Sequence, residues 1–450
     1  MESPDGLPTP RRYWSVLTIG LAITMAVLDS TIANVALPAI ARDLKVSEAD
    51  SIWVVNAYQI AVTVSLLPLA ALGDRIGYRL IYQAGLVTFT FASLACAMSH
   101  SISGLALARV FQGLGAAGIM GMNGALTRFT YPNRLLGRGF GINAAIVASA
   151  SALGPTVASA ILAAGSWRWL FGVNVPLGVV TVVVAGFALP SSQRSPHRFD
   201  VASAVLSAGS FGLLIYGLEA FSRGLLAPGV SEVVLGVAAG WVALRRAEHS
   251  PAPLVPVDLF RIPSFAMAAA TSVCSFVAQA TALLSMPFLM QGGLGRTAVQ
   301  TGLLMTPWPL ATVVAGPIAG RLADRIPVGL LCGVGLAVMA VGMACLAGLP
   351  DKAADLDIIW RMVLCGAGFA FFQTPNNRSM MAAAPRERAG AAGGMMATQR
   401  LVGQTLGALG LAMLFRVDPV QATRIGLGAA AVMSVAAAVI SSLRLRRLQA

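Results

Sequence analysis

Apolar residues in this chain do not alternate with polar ones at the period of a strand or a surface helix. They run on for about 20 residues at a time, fourteen times over. A run of roughly 20 residues matches the ~30 Å hydrocarbon core of a bilayer, and with no water to bond the backbone such a run takes the helical form. The runs lie near 14–38, 50–72, 79–98, 103–126, 138–162, 168–189 and 200–221, then near 229–246, 264–290, 299–322, 328–349, 357–380, 392–415 and 424–443. The predicted class is an all-α integral membrane protein. Composition agrees, since 57% hydrophobic against 11% charged residues leaves too little polar surface to cover a soluble core.

A formal net charge of +13 raises the question of nucleic acid, and the placement of the charges answers it. With the N-terminus inside, 20 of the 31 lysines and arginines fall in cytoplasmic segments, among them Arg11, Arg12, Arg75, Arg79, Arg245, Arg246 and Arg444, and 8 fall outside. That asymmetry is the positive-inside rule, and it predicts both termini in the cytoplasm. No basic run is interleaved with aromatics in a soluble segment, so no nucleic-acid partner is expected. The first apolar run is too long for a secretory signal and lacks a small-residue cleavage site, so it is read as a retained helix. All five cysteines sit inside spans, which implies no disulfide framework, and His100, His197 and His249 fall in loops as solvated bystanders.

The chain repeats itself. Leu72-Gly73-Asp74-Arg75-Ile76-Gly77-Tyr78-Arg79 between the second and third spans is echoed by Gly320-Arg321-Leu322-Ala323-Asp324-Arg325-Ile326 between the tenth and eleventh. Asp74 and Asp324 are 250 residues apart, and an in-span arginine follows each, Arg109 after 35 residues and Arg361 after 37. A duplicated six-helix unit explains this spacing. It leaves two runs between the copies, read as an inserted hairpin; because the second run is short, a re-entrant or surface-lying form stays open. The expected organisation is an N-terminal six-helix bundle over 1–190, an insertion over 191–255 and a C-terminal six-helix bundle over 256–450.

These residues carry a resemblance over essentially the whole chain to the fourteen-helix drug:proton antiporter branch of the major facilitator superfamily. Leu28 to Pro38 is similar to that branch's first-helix signature, Leu72 to Arg79 to the superfamily's loop motif, and Arg109-Val110-Phe111-Gln112-Gly113 to its fourth-helix motif. Gly154-Pro155 resembles the core of the fifth-helix antiporter motif, and Trp167-Arg168-Trp169 with Asn174-Val175-Pro176 matches a further segment of the branch. Ala70, Pro327 and the pair Ala158-Ser159 depart from the usual glycines. The resemblance implies a major facilitator fold of two six-helix bundles related by a pseudo-two-fold axis. It further implies proton-coupled export of small molecules by alternating access, as in antibiotic resistance, from a bacterial inner membrane. A monomer with no cofactor and no metal is expected, its partners being protons, the bilayer and its substrate.

Few residues could carry the chemistry. Asp29 is the acid nearest the middle of any span, and intramembrane acids normally face a partner or a wet cavity. It lies about nine residues, or roughly 13 Å, below the outer surface, and Arg109 about 9 Å below the same surface, so they can pair. Either the pair handles protons, burial favouring the neutral acid and the guanidinium the carboxylate, or it is a static ion pair, or Asp29 bonds the region around Pro38. Glu219 is a second candidate for protons or for a cationic substrate, unless it snorkels to water beside Arg223. Asp74, Arg75, Gly77 and Arg79, with Asp324 and Arg325 in the second copy, suit a cytoplasmic latch, or else only anchor the topology. Gly154 and Pro155 kink a helix at the seam between the halves. Arg361 and Arg400 are expected to satisfy helix ends or carbonyls.

In the superfamily, polar and aromatic side chains at the interface of the halves line the cavity, which here implies Asn34, Tyr58, Gln59, Gln112, Phe276, Gln279, Gln373 and Asn376. Each could instead hold helices together. Few polar groups among apolar walls suit an amphipathic molecule, and a lone central acid suits monocations or neutral compounds better than dications. No Gly-x-x-x-x-Gly-Lys-Ser/Thr, His-Glu-x-x-His or Cys-x-x-Cys sequence is present, which argues against ATP hydrolysis and against an intramembrane enzyme. A proton symporter or facilitator of the same fold remains the neighbouring alternative, and a membrane-embedded enzyme or sensor the remote one.

Overall fold

The structure, a computed structural model, describes residues 6–132, 135–190, 200–222, 225–248, 257–323, 325–384 and 389–447. Asp324, the segments 191–198 and 249–256, and the side chains of Asp74 and Glu219 lie outside the described residues. The remainder is all-helical. The first bundle holds α1 (Arg11–Leu44), α2 (Glu48–Ser51), α3 (Trp53–Ile76), α4 (Tyr78–Ala97), α5 (Ile102–Thr130), α6 (Leu136–Ala164), α7 (Arg168–Gly172) and α8 (Asn174–Ala188). A hairpin of α9 (Val201–Ser222) and α10 (Leu226–Glu248) follows, then α11 (Val257–Phe260). The second bundle holds α12 (Pro263–Phe288), α13 (Ala298–Met305), α14 (Pro307–Leu322), α15 (Val328–Ala347), α16 (Asp355–Ala383), α17 (Ala389–Val417) and α18 (Ala422–Arg447). Among the described residues, nine helices are long and apolar enough to cross a membrane.

Two helix ends differ from expectation. The first helix does not stop at Pro38 but runs to Leu44, where Lys45 in the left-handed region (φ 54°, ψ 46°) donates its N–H to the Ala41 and Arg42 carbonyls. A proline removes one backbone donor, which a long packed helix tolerates, whereas the left-handed residue redirects the chain. The loop expected after residue 72 is likewise helical. α3 continues to Ile76, and Gly77 alone (φ 110°, ψ 133°) separates it from α4. A residue with a Cβ is strained at that φ, so Gly77→Ala is expected to cost about 1–3 kcal/mol, measurable as a lowered unfolding temperature in detergent.

The two bundles repeat each other in their glycine contacts, a feature the loop comparison alone did not reveal. In α4 and α5, a Cβ on Gly85 would lie 2.8 Å from the Gly115 carbonyl oxygen, and one on Gly115 would lie 2.7 Å from that of Gly85. In α15 and α16, Gly335 and Gly368 stand in the same reciprocal relation at 2.7 and 2.6 Å. Gly113 against the Tyr58 carbonyl oxygen (2.5 Å) is matched by Gly366 against that of Trp308 (2.1 Å). In lipid, where no hydrophobic force separates helix from solvent, such backbone approach is the main source of packing energy.

The inserted hairpin packs through α9 against α3 and α17, so it flanks the seam between the bundles. Its 22- and 23-residue helices are each long enough to cross a bilayer at about 1.5 Å per residue. Ser210 Oγ donates to the Gly236 carbonyl at 2.8 Å and ties the two together. At its base, Asp200 Oδ1 accepts from the Ser203 backbone N–H at 3.0 Å and meets Arg246 at 3.3 Å. Ser203, and then Arg246, hold the Asp200 carboxyl below its ordinary range. The cap therefore contributes at neutral pH and is lost only as pH falls through that lowered value. Asp200→Ala is expected to cost about 1 kcal/mol at pH 7, read as an unfolding-temperature difference that shrinks on acidification.

Candidate functional site

The site is built inside the first bundle. Asp29 on α1 is fully buried, with no exposed side-chain surface, and is ion-paired through Oδ2 to Nη1 of the equally buried Arg109 on α5. Its other oxygen, Oδ1, accepts from Gln112 Nε2 at 2.8 Å and from Asn174 Nδ2 at 2.9 Å. Arg109 and Gln112 are three residues apart, which places them on one helix face, and Arg109 Nη1 also donates to Gln112 Oε1 at 2.7 Å. The guanidinium is held further by Nε donating to the Val54 carbonyl at 2.8 Å and by the Tyr58 ring 4.2 Å from its Cζ. Gln112 Nε2 reaches Ser93 Oγ at 2.8 Å, and Tyr58 donates its hydroxyl to the Ala26 carbonyl at 3.2 Å.

This geometry constrains what a proton can do. All three groups around the Asp29 oxygens are donors, two on Oδ1 and one on Oδ2, which leaves one position on Oδ2 for a proton. A proton there removes the negative charge that balances the buried Arg109 guanidinium. The guanidinium is then a buried cation without its counter-charge, and with Nη2 already buried without a partner it gains by moving to another acceptor. With no surface exposed, the acid also has to be uncovered before it can exchange its proton.

At the face opposite the two termini the bundles are held together. Gln291 Nε2 donates to the Val35 carbonyl at 3.2 Å, and Arg42 Nη2 to Gln291 Oε1 at 3.2 Å. Arg416 and Asp50 form an ion pair at 3.3 Å, 27% and 45% exposed, an exposure at which such pairs contribute about 0.2–1 kcal/mol. Deeper in, Thr156 and Thr306 hydroxyls meet at 2.7 Å. The closest approach is at Gly302 of α13, where a Cβ would lie 1.7 Å from Ser159 Oγ and 2.4 Å from the Pro155 carbonyl oxygen. On the same helix, Gly154 lets α6 close on Thr31 of α1, and Ala158 is fully buried.

Other residues singled out from the sequence fall as follows. Arg79 donates to the Gly186 carbonyl, and Arg11 to the Ala188 and Leu189 carbonyls at 3.3 and 3.0 Å, so both cap the end of α8 within their own bundle. Arg75 and Arg325 are exposed. Arg361 satisfies its own helix start, bonding the Asp357 carbonyl at 2.6 Å and pairing with its carboxylate at 3.0 Å. Asn376 is spent on helix packing: it donates to Ser272 Oγ at 2.8 Å and accepts from Arg444 Nη1 at 2.8 Å. Arg444, counted from its charge among the residues on the cytoplasmic side, is buried at the C-terminal end of α18. Phe276 stacks edge-on against Phe369 in the second bundle's core. Asn34 Oδ1 and Gln59 Oε1 are buried without a hydrogen bond, and Gln279 and Gln373 are half-buried. Asn174, Ser93 and Val54 were not singled out as site residues. Asn174 stood only in a family-like segment, and a backbone carbonyl leaves no sequence signal.

Comparisons with known proteins agree with this architecture. The model of the Major Facilitator Superfamily matches residues 19–408. The "Uncharacterized transporter YebQ" of Escherichia coli (strain K12) is 53% identical over 98% of this chain and 97% of its own. The "Multidrug resistance protein Stp" of Mycobacterium tuberculosis (strain CDC 1551 / Oshkosh) is 33% identical over 87% of this chain and 74% of its own. Among solved structures, a bacterial homolog of the human lysosomal transporter Spinster, inward-facing and unoccupied, superposes with a TM-score of 0.71 at 16% identity, covering 98% of each chain. The chain belongs to the Major Facilitator Superfamily and is a multi-pass membrane transporter.

Proposed function

We propose that this transporter exports amphipathic small organic molecules in exchange for protons, with Asp29 as the proton carrier. The observation that carries the reading is the fully buried Asp29–Arg109 ion pair, in which protonating the one open position of the carboxylate leaves Arg109 without its counter-charge and so couples protonation to movement of that side chain. In the proposed orientation the face bearing the termini is cytoplasmic, following the excess of arginine there, and the membrane is the bacterial inner membrane. The structure then corresponds to a state sealed on the outside. The bundles over 1–190 and 256–450 rock about the seam while the insertion over 191–255 stays beside it. The 33% identity to a multidrug resistance protein supports export of drug-like compounds, and one copy of the chain holds the complete Asp29 network.

Proton entry from outside protonates Asp29, loosens its hold on Arg109 and relaxes the outward-open form; release inside restores the ion pair. The motif residues Asp74, Arg75, Gly77, Arg79, Asp324 and Arg325 are proposed to latch the cytoplasmic ends in that alternate form. The test is flux in proteoliposomes carrying the purified protein, using fluorescent amphiphiles of both charges under an imposed pH gradient. Exchange moves substrate opposite to the protons. Movement in the same direction as the protons shows symport, and indifference to the gradient removes proton coupling altogether.

A further inference from the structure

Arg400 of α17 is a cation that no described residue neutralises. It makes no hydrogen bond or ion pair among the described residues, and its Nε is buried without a partner. It stands at the seam: the adjoining Leu401 and Ala397 pack into the first bundle's core with Tyr58 and Leu66, and Arg400 lies within electrostatic reach of Tyr58. Gln399 beside it is 4% exposed with neither end of its amide bonded, and Gln59 on the facing α3 is 7% exposed with Oε1 unbonded. Unsatisfied polar groups are rare in protein interiors, and a group of them on two helices facing across a transport seam is what a bound molecule would complete.

The nearby acid is not available to balance this charge. Both Asp29 oxygens are taken by Arg109, Gln112 and Asn174, so the ion pair is neutral as a unit and leaves Arg400 as a net positive charge. A cationic substrate would meet repulsion there. We propose that Arg400 receives an acidic group of the substrate, so that the exported compounds are amphipathic organic anions bearing a carboxylate or sulfonate, with Gln399 and Gln59 supplying hydrogen bonds. This rests on the transport reading above and reverses the sequence-based expectation of cations or neutral compounds, which was drawn from the single central acid and left Arg400 out.

The test compares two xanthene dyes of similar size, anionic fluorescein and cationic rhodamine 123, by fluorescence anisotropy with the purified full-length protein in detergent. Fluorescein is expected to bind the wild type at least about tenfold more tightly. Arg400→Gln is expected to weaken fluorescein by about tenfold to 100-fold, the range for a charged hydrogen-bond partner, and to leave rhodamine 123 unchanged or tighter. Arg400→Lys keeps part of the preference and serves if the Gln variant fails to elute as a single folded species. Tighter binding of rhodamine 123 than of fluorescein by the wild type, equal fluorescein binding by wild type and Arg400→Gln, or no saturable binding of either dye overturns the proposal.

A vesicle measurement separates this inference from proton coupling. Outward movement of a monoanion against one inward proton carries two charges, whereas exchange of a monocation carries none, so a potassium-diffusion potential should drive fluorescein transport. If fluorescein binds through Arg400 but ignores the pH gradient, the anion site stands and proton coupling fails. If rhodamine 123 is driven by the gradient while fluorescein is not bound, coupling stands and the anion site fails.

Discussion

Asp29→Asn is expected to reduce pH-gradient-driven accumulation to the level of protein-free vesicles while leaving downhill exchange measurable. Asparagine keeps the shape of the side chain and offers one acceptor to Arg109, but its amide N–H₂ confronts the donors of Gln112 and Asn174. It therefore resembles the protonated acid, permanently, and no proton can be released. The companion expectation is energetic. Arg109→Gln leaves an unpaired acid in a site with no exposed surface, and breaking a buried pair in this way costs about 3–5 kcal/mol. Combining Asp29→Asn with Arg109→Gln removes both charges and should recover most of that loss in thermal unfolding. Equal stability of Arg109→Gln and wild type would show the pair to be energetically idle.

Gly302→Leu is expected to open the outer seal. A Cβ at that position meets Ser159 Oγ at 1.7 Å and the Pro155 carbonyl at 2.4 Å. The serine can rotate away, but the carbonyl belongs to a helix and cannot. The α13 and α6 helices must then separate, at an overpacking cost of about 1–3 kcal/mol. That cost falls only on the state in which the two helices touch, so the equilibrium shifts by about 5–150-fold toward the alternate conformation. The exposed Arg416–Asp50 pair is too weak to hold the seal against it. In a cysteine-free background carrying Thr306→Cys, a membrane-impermeant maleimide applied from outside should label the Gly302→Leu protein faster than its parent. Equal rates would mean that this contact does not govern the seal.

Much of the architecture was legible in the sequence because lipid imposes a simple rule: a backbone without water must be helical and its spans apolar. Asp29 and Arg109 stood out for the same reason, since charges within spans are few and find one another. What stayed hidden was neutral. Asn174 and Ser93 complete the shell as ordinary polar residues, Val54 contributes only its carbonyl, and Gly302 is one of 47 glycines until its neighbour is known. Pro38 suggested a helix end because a missing donor is visible in the sequence, whereas the left-handed turn at Lys45 is not. Asn376 looked like a cavity group, yet Arg444 takes its acceptor; the packing of α18 on α12 and α15 brings that arginine to it, and no local pattern announces it.

In the proposed mechanism, substrate movement and Asp29 protonation are two faces of one rearrangement. The most direct measurement is of protons driven by substrate: vesicles holding the reconstituted protein and an internal pH indicator, given a substrate gradient and no pH gradient. The account predicts proton movement opposite to the substrate with wild-type protein and none with Asp29→Asn. Substrate flux that moves no protons in the wild type, or equal proton movement in the two proteins, would contradict it.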